Sequence, residues 1–216
     1  DESIQARKIA KYLNINQHIE PFDSKKVSDW VFEHFKAYSE PFSDYSSLPT
    51  YAICRLSSKY CKVMLAGDGG DELFWGYPRF LTTMDYKNWF LYPKLFRKLY
   101  AAFLRRSFGK RISSGIDNKT IGDWIFQRQG PHYSHIVKEI MPEANFSVTT
   151  KNLYTSPNPN SNPITLLKWL RRNEFYGHMQ RRLLKVDRAS MANSLEVRLP
   201  LLDRKLIDTK ISKVLN

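Results

Sequence analysis

Cysteine, glycine, acid and long apolar runs are all scarce in this chain. Its two cysteines, Cys54 and Cys61, have no Cys or His at metal-ligand spacing. That excludes a zinc-finger framework and a disulfide scaffold, and it reads as reduced thiols in a cytoplasmic protein. No apolar stretch approaches the ~20 residues needed to cross a bilayer, and no basic-then-apolar leader opens the sequence, so no membrane partner is expected. No internal repeat is present. Asp and Glu number 21 against 34 Lys and Arg, a net charge of +13. Such an excess attracts anions: nucleotides, nucleic acid or acidic surfaces. It concentrates at 94–111 and 168–188. Without a recognised nucleic-acid motif, both segments read as solvated helix faces or as a surface facing an acidic partner domain. A hydrophobic share of 42% and 216 residues suffice for a packed core.

Three of the 9 glycines, Gly67, Gly69 and Gly70, fall within four positions of KVMLAGDGGDELFWGY at 62–77. The run Val63-Met64-Leu65-Ala66 has strand length and polar flanks, so it reads as a buried strand. Glycines permit the sharp turn and close ligand approach that would follow. Leu73, Phe74 and Tyr77 recur at helical spacing, which places a helix start near Asp71. Strand, glycine turn and helix start make the usual anion site of an open α/β sheet. Asp68, Asp71 and Glu72 would repel a bare phosphate, but they fit if Mg²⁺ bridges them to phosphate oxygens. A tight turn whose Asp71 or Glu72 caps the next helix fits equally well.

Upstream, 1–14 reads as a helix with Ala6, Ile9, Ala10 and Leu13 on one face, and 17–22 as a short strand closed by Pro21. Ser24 caps a second helix over 27–38, striped by Val27, Trp30, Val31, Phe35 and Tyr38. Pro49 sits in the first turn of a third helix, with Ala52, Ile53, Leu56 and Tyr60 inward. A helix between two strands predicts a parallel sheet. Beyond 82 the chain turns aromatic and basic, with Trp89, Phe90, Tyr92, Phe96, Tyr100 and Phe103. Such a stripe is the pattern of helix–helix core rather than base stacking. His132, Tyr133 and His135 cluster without metal spacing. SPNPNSNP at 156–163 reads as a mobile link, and 164–184 as a long helix with Lys168, Arg171, Arg172, Arg181 and Arg182 along one side. Asp203 is placed as the N-cap of a last helix faced by Leu206, Ile207, Ile211 and Val214. The expected architecture is α/β, with an α/β part at 1–81 carrying the glycine loop and a mainly helical part at 82–216.

Three stretches resemble a single family. LAGDGGDELFWGYPRF at 65–80 resembles the pyrophosphate-loop segment of glutamine-dependent asparagine synthetases. LKVDRASMANSLEVRLPLLD at 184–203 is similar to the same family's downstream segment, and EPFSDYSSLPTYAICR at 40–55 to the part just ahead of the strand. All three stand in the family's order. The resemblance implies a partial parallel sheet of the adenine nucleotide alpha hydrolase-like (Rossmann-like) type with a large helical remainder. It implies a ligase that uses ATP and Mg²⁺ to adenylate a carboxylate, aspartate by default, releasing pyrophosphate. Ammonia from a glutaminase domain then displaces AMP to give the amide. By the same resemblance Ala66 and Gly67, with Gly69 and Gly70, lie against ATP. Asp68 matches the acid tied to adenylate formation, and Asp71 the acid that helps hold Mg²⁺. Ser43, Asp44, Ser46 and Ser47 match the segment that approaches the substrate pocket. For Asp187, Arg188, Glu196 and Arg198 a buried ion pair stands beside a direct catalytic role.

The chain departs from that family's pattern. It carries no Ser-Gly-Gly-x-Asp-Ser nucleotide loop, no glutaminase domain and no later lysine segment, and Trp75 stands where glycine is usual. The tryptophan is expected to crowd the loop or to pack against a neighbour. The expectation is an internal piece of a larger protein, without synthetase activity on its own, and a homo-oligomer stays open. Its rivals are a non-catalytic α/β binding module and, disfavoured, a basic nucleic-acid-binding domain.

Overall fold

The computed structural model describes residues 3–19, 24–40, 42, 44–108, 115–129, 139–143, 154–155 and 157–208. Helices α1 (Ser3–Tyr12), α2 (Ser24–Ala37) and α3 (Ser47–Ser57) lead to strand β1 (Val63–Leu65). After it come α4 (Gly70–Phe74), α5 (Pro78–Tyr86), a 3-10 turn (Lys87–Leu91), α6 (Lys94–Phe108) and α7 (Ile121–Gln129). Helix α8 (Pro163–Asn173) runs through a π-helical turn, Glu174–His178, into α9 (Met179–Met191). Strand β2 (Glu196–Arg198), a 3-10 turn (Pro200–Leu202) and α10 (Arg204–Leu206) complete the described elements.

The fold is mostly helical. A parallel pairing is present, but among the described residues β1 pairs with β2 and not with the strand expected at 17–22, and the sheet is confined to these two strands. Glu196 N–H donates to Lys62 O at 2.9 Å, and Ala66 N–H to Arg198 O at 2.9 Å. Residues 17–19 have no regular structure, contrary to the strand expected there. A strand needs a neighbour to take its backbone bonds, and none lies alongside among the described residues. Pro21, Phe22, Ser43, His132, Tyr133, His135, Ile211 and Val214 lie outside the described residues.

The chain divides into two units. The first joins Asp1–Met64 to Lys185–Val197, and the second joins Leu65–Leu184 to Arg198–Asn216. The first unit's core is Tyr51, Cys54, Ala189 and Leu195, with Trp30, Cys61, Met64 and Val197 packed on it. Helix α3 buries the arc of Tyr51, Ala52 and Cys54. Ile53 and Tyr60, expected inward, lie off that arc and are more than half exposed, as are Ile9, Leu13 and Phe35. Ile53 and Tyr60 line an apolar groove of about 570 Å³ together with Ala6, Ile19 and Leu56.

The second unit is built on Phe80, Phe90, Ile121, Trp124, Ile125, Leu166 and Leu170. Tyr86 stacks on Trp124 with ring centroids 5.2 Å apart. Of the aromatics read as helix core, Phe90 is buried, whereas Tyr92, Phe96 and Phe103 are about half exposed or more. Buried Arg97 takes their place on the core side of α6. It donates to the carbonyls of Tyr92, Ile116 and Asn118, with its guanidinium 4.7 Å over the Phe90 ring. The expected link ahead of α8 is a capping turn: Asn160 N–H donates to Asn158 Oδ1 at 2.9 Å, and Ile164 N–H to Asn162 Oδ1 at 2.9 Å. Asp203 caps α10 as expected, accepting from Lys205 N–H at 2.8 Å and Leu206 N–H at 3.3 Å.

Candidate functional site

In the second unit the glycine turn closes when Gly70 N–H donates to Gly67 O at 3.2 Å, and α4 starts with Leu73 N–H on Gly69 O at 3.0 Å. Gly69, the N-cap of α4, holds φ at +93°. A Cβ there would lie 2.3 Å from Leu202 Cδ2, and one on Gly70 would lie 3.1 Å from Leu201 Cδ1. The positive φ calls for glycine at 69, and leucines of the downstream LPLLD segment crowd both positions, Gly69 closely and Gly70 more loosely. Gly67 differs. It is exposed, and nothing lies within 4 Å of its Cβ position, so a ligand has room there. Ala66 just before it is half-buried.

Asp68 is half-buried and Asp71 exposed. Among the described residues, no group of three His, Cys, Asp or Glu could hold a metal ion. Mg²⁺ would ask little of the protein, since it takes most of its ligands from water and phosphate rather than from a protein-only cage. Asp71 leaves no room for a side chain at Gly76, whose Cβ would meet its Oδ1 at 2.1 Å. Trp75 ends α4 at φ 57° and donates its N–H to Asp71 O. Its indole packs outward from the turn: Nε1 donates to Leu167 O at 3.1 Å, and the Arg171 guanidinium lies 4.0 Å over the ring. Arg171 Nη1 in turn donates to Leu73 O at 3.1 Å, at the carbonyl end of α4.

Glu72 is 1% exposed. It accepts the Tyr77 hydroxyl and lies 3.5 Å from Arg182 Nε. Arg79 covers the Tyr77 ring at 3.7 Å and grips buried Glu174 with two bonds, Nε to Oε1 at 2.7 Å and Nη2 to Oε2. Burial, then the bond to Glu72 and its charge, push the Tyr77 hydroxyl pKa well up against the two guanidiniums. Glu72 thus anchors α4 from below. Sequence reasoning missed Tyr77, Arg79, Arg171, Glu174 and Arg182 as partners. For Arg171 a signal existed: it follows Leu167 by four residues and Leu170 by one, inside the apolar arc of α8.

In the first unit the DYSS segment forms a second polar cluster. Asp44 Oδ1 accepts from Ser46 N–H at 2.9 Å and from its hydroxyl at 2.6 Å, while Ser47 Oγ donates to Asp44 O at 2.7 Å. Lys185, 6% exposed, donates to Ser46 Oγ at 2.8 Å, and the Tyr38 hydroxyl to Lys185 O at 3.2 Å. His34 Nε2 lies 2.8 Å from Ser47 Oγ. Burial lowers the His34 pKa. Burial, then the charges of Cys54 and Asp44, raise Tyr38 to about 12. Asp187 and Arg188 are exposed. Glu196 and Arg198 are exposed too, so neither supplies a buried ion pair.

Fold and loop define a class: a helix-rich chain whose parallel strand runs into a glycine turn with two acids beside an open backbone position. The asparagine synthase family model matches residues 1–212, and the chain belongs to that family. It is 27% identical over 209 residues to asparagine synthetase [glutamine-hydrolyzing] 1 of Bacillus subtilis (strain 168), covering 90% of this chain and 31% of that protein. A Methanocaldococcus jannaschii protein provisionally named asparagine synthetase [glutamine-hydrolyzing] 2 is 35% identical over 77 residues, 36% of this chain and 15% of its own length. The chain therefore spans less than a third of the curated relatives it matches. No solved structure matches it.

Proposed function

We propose that the chain supplies the carboxylate-activating part of an ATP-dependent, amide-forming ligase. In this reading the parent adenylates aspartate or a related carboxylate and releases pyrophosphate, and ammonia derived from glutamine then displaces AMP to give asparagine or its counterpart. The observation that carries it is Gly67, open and exposed beside Asp68 and Asp71, in a chain of the asparagine synthase family.

The backbone at Ala66 and Gly67 can approach a phosphate because no side chain stands in the way. Gly69 and Gly70 shape the turn under Leu202 and Leu201. In this reading Asp68 acts in adenylate formation and Asp71 helps hold the metal, while Glu72 with Arg182 keeps α4 in place. Mg²⁺, when bound, offsets the negative charge that builds on the departing pyrophosphate. Because the sequence lacks the Ser-Gly-Gly-x-Asp-Ser loop, this chain alone binds Mg-pyrophosphate without completing the reaction.

Titration calorimetry of the chain with pyrophosphate tests this. Binding is expected with Mg²⁺, weaker by about tenfold or more in Asp71→Asn, the loss of one charge-assisted contact. Binding indifferent to Mg²⁺ and to Asp71 would sink the assignment. ATP–pyrophosphate exchange by the chain alone, with aspartate, would refute its inactivity.

A further inference from the structure

Between Asp85 and Asp117 the sequence has no acidic residue but eight Lys and Arg. Helix α6 lies within this interval. Its core side is Arg97 and Ala101, 3% and 0% exposed. The exposed side of the helix mixes cations with large apolar side chains, where a solvent-facing surface would be polar throughout. Leu95, Leu99 and Phe103, each four residues after the last, are 70%, 65% and 59% exposed, with Phe96 beside them at 49%. Tyr92, just ahead of the helix, is also exposed. Arg97 is spent on loop carbonyls, and Arg105 on Asp117 at 3.0 Å. Lys94, Lys98 and Arg106 are exposed and have no ion-pair partner among the described residues.

Large apolar side chains turned outward next to unspent cations match the boundary between anionic headgroups and acyl chains. Water alone penalises the outward leucines and phenylalanines. A nucleic-acid groove would use the cations and leave the aliphatic groups unused. We propose that α6 is an in-plane membrane-docking helix that seats on an anionic lipid surface, with Leu95, Leu99 and Phe103 entering the acyl boundary and Lys94, Lys98 and Arg106 on the headgroups. This does not rest on the activity above: a chain that fails to bind pyrophosphate can still pass or fail here.

The test is co-sedimentation of the full chain with phosphatidylcholine vesicles, with and without phosphatidylglycerol. Each cation brought to an anionic surface raises partition about fivefold, so three give roughly a hundredfold preference for the anionic vesicles. Lys94→Glu/Lys98→Glu/Arg106→Glu should abolish that preference. Lys8→Glu/Lys11→Glu/Lys59→Glu, an equal charge change on exposed lysines of the first unit, should spare most of it. Leu95→Ser/Leu99→Ser/Phe103→Ser alters only exposed positions, keeps the helical circular dichroism, and should lose sedimentation at unchanged net charge. No sedimentation with anionic vesicles overturns the proposal. So does binding that survives the serine triple, because charge alone would then explain it and an acidic protein or a nucleic acid would serve as well.

Discussion

His34 and Tyr38 sit with ring centroids 4.9 Å apart and respond to opposite ends of the pH scale. Burial lowers His34 from 6.5, so the folded chain holds the neutral ring; its stability contribution is present above pH 6.5 and lost as pH falls through the lowered value. Tyr38 is raised from 10.0 to about 12, so its contribution is present below pH 10.0 and lost as pH rises through about 12. Urea midpoints across pH should fall on both limbs, with His34→Gln flattening the acid limb and Tyr38→Phe the alkaline one. Neighbouring acids of α4 should differ as sharply. Glu72→Ala leaves Tyr77 and Arg182 without their partner and should cost about 1–3 kcal/mol, whereas exposed Asp71→Ala should stay within about 0.5 kcal/mol. Denaturant unfolding of both variants decides it. The sequence left open whether either acid served the metal or the helix start. Burial separates them, and burial depends on Arg182, a residue more than a hundred positions away.

At the scale of elements, the positions of the strand, the glycine turn and the start of α4 were legible because spacing and residue type are local signals. The strand's expected burial is not met: Val63 and Leu65 are 41% and 67% exposed. The cover over the turn was not legible, since Leu201 and Leu202 arrive from a distant segment. Gly69→Ala forces a side chain into the left-handed region and against Leu202, at a cost of about 2 kcal/mol or more. Adding Leu202→Ala should return the steric part and leave the backbone part, a coupling that a double-mutant cycle of unfolding energies measures. Trp75 occupies the left-handed region without glycine's freedom because its indole is held by Leu167 O and Arg171. The charged stripe on α8 and α9 misled for a related reason. An arginine reads as solvated until the carbonyl or aromatic ring that receives it is known, and Arg171 finds both.

For the molecule as a whole, helix content followed from periodicity, and the partial parallel sheet implied by the family resemblance is a two-strand one among the described residues, with β2 and not 17–22 as the partner of β1. Which aromatics enter a core was not legible. Phe90 and Phe96 look alike in sequence, but only Phe90 meets Trp124, with centroids 6.3 Å apart. The first unit depends on a small core, so Leu195→Ala, at a site with 0% exposure, should cost about 2–5 kcal/mol by chemical denaturation. The contact between position 70 and Leu201 has a bearing on how such a protein can vary. In a library randomised at position 70 alone, selection for folding should favour small residues, because added bulk there has to move the Leu201 side chain. Randomised together with position 201, it should return matched solutions, in which extra bulk on one side is balanced by a trimmed partner on the other. A lineage changing one letter at a time would reach the bulkier pairs through a less stable intermediate, so the loop and its lid are expected to vary together.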